Sequence, residues 1–218
     1  VESFKCGQKI AEIHRDIQVV LIGCPTMPGG AQNDPPVVPA PVGTQTWTVD
    51  PLGSSLLPSY ETTVTAGEFI SFNILGIDSN LYNGVTPQDV TMEVSGGQIL
   101  DPITGSCQNP PCATFLSPTG APSPLIEPLM VEGVFEWQTT CDHLVNQFGE
   151  NADIIPYDFV FKVQDDFCQV PKITYATVRI NVINPGVIQA PEISCIQTDV
   201  NGNRTLFWEP VSDPTGSF

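Results

Sequence analysis

Asp165-Asp166, two successive carboxylates at the end of an alternating strand, are the residues of this chain best placed to hold an ion. With Glu68, Asp78 or Asp142 from neighbouring loops they would offer oxygens to Ca2+. That ion takes about six to eight oxygens and mixes carboxylates with backbone carbonyls. The expected ligand set is Glu68, Asp78, Asp165 and Asp166, and calcium is the cofactor they imply. The same dipeptide also reads as the start of a solvated turn, since Asp is a good turn residue.

Other chemistry is less well provided for. Glycoside hydrolysis needs two carboxylates facing across a cleft, and no spacing in this chain identifies such a pair. Cys141-Asp142-His143 has the residue types of a nucleophile and its base. Cys141 is better explained by a disulfide, and His143 by a surface position on a short helix; His14 sits in a strand beside Arg15. The expectation is therefore of a protein that is not an enzyme. Trp47, Trp137 and Trp208 have rings that stack on sugars when exposed. Alternation places Trp137 and Trp208 on the apolar faces of their strands, which is core packing. Asn203-Arg204-Thr205 matches an N-glycosylation acceptor, a pattern short enough to arise by chance.

The 7 cysteines in 218 residues point to an oxidising compartment. Cys107 and Cys112 have metal-like spacing, but no second close pair follows, the two histidines are His14 and His143, and structural zinc wants four ligands. A disulfide closing the Pro110-Pro111 loop is the preferred reading. Connectivity of the rest is open at this level. One pairing consistent with the order joins Cys6 to Cys24 and Cys141 to Cys168, leaving Cys195 for a partner outside the chain.

Seven Lys and Arg stand against 24 Asp and Glu, a formal net charge of −17. Such a surface repels phosphate backbones and anionic headgroups, which argues against nucleic acid or simple membrane-surface binding. It suits solubility and loose divalent-cation binding. No apolar run approaches the roughly 18 residues that would span a bilayer, and Val1 to Lys5 does not read as a signal peptide.

The elements that must position these residues are strands. Charged residues are only 14%, while Pro (22) and Gly (18) punctuate short runs of Val, Ile, Thr and Phe. Period-2 alternation marks Ile70-Phe72-Ile74, Val90-Met92-Val94, Phe135-Trp137, Tyr157-Phe159-Phe161-Val163 and Ala176-Val178-Ile180-Val182. Thr46–Val49 and Thr62–Thr65 are further strands. A short helix is expected from Thr140 to Phe148, with Leu144 and Phe148 on one side. Several strands with one apolar face each require a second sheet to cover them. The fold class is all-β: tandem immunoglobulin-like β-sandwiches, one complete and flanked by partial units.

Residues 1–24 read as the closing strand of a preceding β domain, with Ile13 to Ile22 extended. Residues 25–44 are a Pro/Gly-rich linker, and 45–184 are the complete sandwich. The stretch Gly96 to Val131 is long for a structureless connection, so it is either a decorated loop or contains further strands. Residues 185–218 are a linker and the first hairpin of a truncated domain. Glu192 to Gln197 and Arg204 to Trp208 flank the turn Val200-Asn201-Gly202-Asn203. A lone hairpin does not hold together in water, so the chain is expected to be a piece of a longer polypeptide.

The series Glu68-Phe69-Ile70-Ser71-Phe72-Asn73, Gly76-Ile77-Asp78, Gly133 to Trp137, Tyr157 to Asp166 and Thr177 to Val182 resembles the cadherin-like and PKD-like repeats of very large bacterial surface proteins. Ala190-Pro191 through Trp208-Glu209-Pro210 resembles the start of a fibronectin type III domain. Together they look like gliding-motility and adhesin-type proteins exported by the type IX pathway. The resemblance implies a secreted or outer-surface location and a structural or display role in adhesion, motility or surface assembly. Partners would be other domains of the same polypeptide, surface proteins, secretion-channel components or glycans. In calcium-dependent repeats of this kind the turn equivalent to Asp165-Asp166 holds the ion at a domain junction. The rival reading is a calcium-dependent or carbohydrate-binding module attached to an exported enzyme, with the Gly96–Val131 excursion forming its site.

Overall fold

The computed structural model describes residues 2–5, 8–12, 33–50, 57–82, 84–146, 148–167, 170–186, 193–198 and 201–208. The chain divides into two units, Val1–Gln32 and Asn33–Phe218. In the first, β1 (Glu2–Lys5) pairs antiparallel with β2 (Gln8–Glu12). The expected strand from Ile13 to Ile22, with Cys6 and Cys24, lies outside the described residues.

The second unit opens with β3 (Val42–Gly43), β4 (Thr48–Val49), β5 (Ser59–Thr65) and β6 (Phe69–Ile77). A small hairpin, β7 (Leu81–Tyr82) and β8 (Thr86–Pro87), precedes β9 (Asp89–Ser95), β10 (Thr114–Leu116), β11 (Leu125–Pro128) and β12 (Met130–Gln138). A 3-10 turn at Cys141–Leu144 leads to β13 (Ile154–Asp165) and β14 (Ile173–Ile183). β15 (Ile193–Thr198) and β16 (Arg204–Trp208) form the antiparallel hairpin expected from the sequence.

One sheet has the order β10-β12-β6-β3, the other β11-β9-β13-β14-β5-β4. The pairing is antiparallel except between β14 and β5, which run parallel from Thr177–Ser59 to Ile183–Thr65. Alternation decides what lies between the sheets, because successive strand side chains point to opposite faces. Ile70, Phe72 and Ile74 of β6 and Val131, Phe135 and Trp137 of β12 face Val90 and Met92 of β9, and Phe159, Phe161 and Val163 of β13. Each of these is at most 1% exposed, and each such burial stabilises by roughly 1.5–3 kcal/mol. Aromatic rings run through the core: Phe72 stacks on Phe135 at 4.6 Å, Phe135 meets Phe159 edge-on at 4.8 Å, and Trp137 meets Tyr157 edge-on at 5.0 Å.

Three expectations need correction, and one alternative left open by the sequence is decided. The linker 25–44 ends earlier than predicted. Val37 bridges Ile77, Val38 is buried, its carbonyl accepting from Tyr60 Oη at 2.6 Å, and β3 pairs with β6. Proline there is compatible with an edge strand, where a missing N–H costs no ladder bond. The Gly96–Val131 excursion contains β10, β11 and the first residues of β12. The helix over Thr140–Phe148 is one 3-10 turn; Leu144 is buried, but Phe148 stands exposed beyond it. His143 is fully buried, not on the surface.

Candidate functional site

Asp78 and Asp165, two of the four expected calcium ligands, come together at one end of the sandwich. Asp78 follows the last residue of β6 and Asp165 closes β13. Both are 2% exposed. Asp165 lies on the inward parity of its strand, so its carboxylate enters the end of the core and needs partners there. It has them: its Oδ1 accepts from Lys172 N at 2.8 Å and Phe167 N at 3.2 Å, and its Oδ2 from Asn33 Nδ2 at 2.6 Å. Asn33 Oδ1 in turn accepts from Gln88 Nε2 at 2.9 Å, and Gln88 is fully buried.

Asp78 is half-satisfied. Its Oδ1 accepts from Asn80 N at 2.8 Å and Asn80 Nδ2 at 2.7 Å, an Asx turn that also ties Asn80 to Asp34 O at 3.0 Å. Its Oδ2 is buried without a partner, and so is Gln88 Oε1. The two residues are coupled through the backbone: Asp78 N donates to Leu129 O, and Leu129 N to Gln88 O. Burial pushes the Asp78 carboxyl above the ordinary carboxylate range. The two Asn80 hydrogen bonds act against that shift, and the charges of Asp165 and Asp34 add to it. A buried carboxylate oxygen and a buried amide oxygen, both acceptors, call for a proton, a water or a cation.

The other two expected ligands go elsewhere. Asp166 is exposed, and its Oδ1 accepts from Tyr82 Oη at 2.9 Å and Asp89 N at 3.0 Å, which fastens the β7–β8 hairpin to β13. Glu68 precedes β6 and Asp78 follows it, so the strand holds them about 30 Å apart. Glu68 Oε2 accepts from Thr65 N at 2.8 Å in its own turn. Asp142 is exposed on the 3-10 turn. Among the described residues no three carboxylate, imidazole or thiolate side chains gather as a metal-binding group. The oxygens at Asp78 and Asp165 are supplemented by carboxamides instead, from Asn33, Asn80 and Gln88. Sequence reading missed these three. The signals available were Asn33-Asp34 ahead of Pro35-Pro36 and the Asp78-Ser79-Asn80 spacing.

The cysteine expectations divide likewise. Cys107 and Cys112 are disulfide-bonded. Cys141 is an exposed free thiol; Cys168, its expected partner, lies outside the described residues. Cys195 is free and exposed on β15. Trp137 is core, as alternation predicted, and Trp47 packs edge-on against Phe72 at 5.0 Å. The Trp208 side chain lies outside the described set.

No protein family matches this sequence, and none of the curated proteins does. Among solved structures the chain is similar to a family 123 glycoside hydrolase from Clostridium perfringens, at 11% identity and a TM-score of 0.33. That match covers 67% of this chain and 27% of the hydrolase, so the chain spans about a quarter of its length. AggA, the major subunit of aggregative adherence fimbriae type I from Escherichia coli, matches at 10% identity and a TM-score of 0.31, over 70% of this chain and 99% of AggA. The CooA pilin subunit from enterotoxigenic Escherichia coli matches at 11% identity and 0.28, over 64% and 99%. At such scores they carry no argument about function, which has to come from the residues.

Proposed function

We propose that this chain is a load-bearing display segment of a secreted or cell-surface protein, with no catalytic task of its own. The observation that carries the reading is the path of the chain through the sandwich. The path starts at Asn33, whose side chain is tied to Asp165 at the last position of β13. It leaves after Ile183, which pairs with Ile154 at the first position of β13. β13 has 12 residues, so those two points lie about 36 Å apart, at opposite ends of the sheet. Between them β5 and β14 run parallel. A pull between those points runs along the strands, so it loads in shear both the rungs that hold Val37 to Gly43 on β6 and those of the parallel pair, whereas peeling an edge strand breaks rungs one by one.

Single-molecule pulling tests this. With handles at residues 33 and 184 the sandwich should unfold at clearly higher force than with handles on the edge strands, at Leu116 and Pro128. Equal forces would end the load-bearing reading. The acidic surface and the Cys107–Cys112 bond suit an oxidising exterior. The resemblance in sequence extends the proposal to a type IX-exported adhesin or gliding-motility protein, partnered by further domains of its own polypeptide, channel components or glycans. Antibody labelling of intact cells with and without the type IX channel tests that extension, and a protein confined inside wild-type cells rules it out.

A second reading, calcium binding, is favoured by the unpartnered Asp78 Oδ2 and Gln88 Oε1. Calcium accepts carboxylate and amide oxygens alike. At a Ca2+ concentration about 100-fold above Kd, binding would stabilise the sandwich by about 2.7 kcal/mol. Asp78→Asn should abolish that response and place an N–H where Oδ2 lacks a partner. The sign of the pH effect follows from the raised carboxyl. The fold favours protonated Asp78, so metal-free stability is greatest below the unfolded-state value and falls as pH rises through the raised one. Asp78→Asn should therefore raise the metal-free Tm at neutral pH. Calorimetry and thermal melts with and without Ca2+ measure both; no Ca2+-dependent shift in the natural sequence removes this reading.

A further inference from the structure

Three buried side-chain donors from three separate parts of the chain, Gln98 in the turn after β9, Trp137 in β12 and His143 in the 3-10 turn, end on one short loop. Gln98 Nε2 donates to Asn109 O and, at 3.2 Å, to Pro111 O. Trp137 Nε1 of β12 donates to Pro111 O at 3.0 Å. His143 of the 3-10 turn accepts from Thr140 N at its Nδ1, 2.9 Å away, so Nε2 is the nitrogen that carries the proton. That Nε2 donates to Asn109 O at 2.9 Å. Gln98, Trp137 and His143 are 2%, 1% and 0% exposed, so bulk water does not reach these donors while the loop is seated.

The loop is the segment closed by the Cys107–Cys112 bond. It contributes little apolar burial: Gln108, Pro110 and Pro111 are exposed, and both cysteines are half-buried, within reach of a reductant. It is also held by Gln108 N to Gly97 O at 2.8 Å, by Ala113 N to Gln98 O at 2.9 Å, and by a hydrogen bond between the Tyr157 and Asn109 side chains. The ring restricts the loop to conformations that aim two carbonyls inward. Gln108 and Asn109 also form one wall of a groove of about 520 Å3, whose other wall is Ile154 to Asp158.

We propose that the Cys107–Cys112 bond is a redox latch: its reduction releases the loop from Gln98, Trp137 and His143 and opens this end of the sandwich, while both sheets stay folded. The reductant is a dithiol. It gives two electrons and two protons, the Cys107–Cys112 S–S bond breaks to two thiols, and the dithiol becomes a disulfide. Opened, the loop regains the chain entropy that the ring withheld, and its carbonyls turn to water.

The test compares hydrogen exchange of the oxidised protein, the same protein reduced with dithiothreitol under native conditions and alkylated, and a Cys107→Ser/Cys112→Ser double variant that keeps the other cysteines. Amides of 97–113 and 141–144 should exchange at least about tenfold faster in both opened forms, as local opening requires. Amides of β6, β12, β13 and β14 should hold within about twofold, the mark of sheets that stay closed. The protected His143 Nε2–H resonance should be lost with the loop. Unchanged exchange over 97–113, or faster exchange spread across both sheets, overturns the latch. If the double variant fails to fold, the reduced and alkylated natural sequence decides alone.

Discussion

Trp137→Ala is expected to destabilise the sandwich by about 3–5 kcal/mol, the range for deleting a large aromatic from a core. The indole is 1% exposed and sits where three rings converge edge-on: Phe159 at 5.8 Å, Tyr157 at 5.0 Å and His143 at 4.8 Å. Its N–H is also spent, on Pro111 O. The substitution thus opens a cavity and removes one support of the disulfide loop. Against a total stability of roughly 5–15 kcal/mol for a domain, the loss is a large share. Trp137→Phe keeps most of the ring and drops the N–H, and should cost closer to the ~1 kcal/mol of a single hydrogen bond plus some packing. Urea denaturation of the two variants separates the terms. A cost below about 1 kcal/mol for Trp137→Ala, less than any core aromatic should show, would mean that the ring cluster does not hold this end together.

The long strands were legible because each carries an unbroken alternation. Ile70, Phe72 and Ile74, and Phe159, Phe161 and Val163, are buried while their neighbours face out. That pattern has no competing reading at such length. β10 and β11 were not legible, because three- and four-residue strands among Pro and Gly show no period. Val37 to Gly43 was hidden by its prolines, which mark a spacer and an edge strand equally. His143 misled for another reason: its burial follows from tertiary partners, Thr140 N and Asn109 O, which no local pattern announces. The site was half legible. Asp78 and Asp165 flank strands whose ends meet, whereas Glu68 and Asp78 flank one strand and are held apart by it. That separation followed from the sequence once β6 was read as a continuous strand. Gln88 carries no motif at all, and only its burial and its unpartnered Oε1 mark it.

Gly133 supplies the second large effect, and its sign is opposite to habit. Exchanging a strand glycine for alanine ordinarily stabilises by about 0.4–1 kcal/mol through the unfolded chain. Here a Cβ would stand 2.0 Å from Phe115 Cζ and 2.2 Å from its Cε2. Phe115 is 5% exposed and packs edge-on against Phe161 at 5.3 Å, so its ring has little freedom to yield. β10 is a three-residue edge strand docked through that one ring into the space above Gly133. Gly133→Ala should therefore cost about 1–3 kcal/mol by overpacking, and Phe115→Ala about 3–5 kcal/mol by the cavity it leaves. The two defects are complementary, since the new methyl occupies space that the lost ring vacates. The double variant should accordingly be more stable than the sum of the singles predicts, by at least about 1 kcal/mol, beyond the 0.3–0.5 kcal/mol scatter of independent sites. Additivity within that scatter would mean that the strand is seated by its hydrogen bonds to β12 and not by the ring over the glycine.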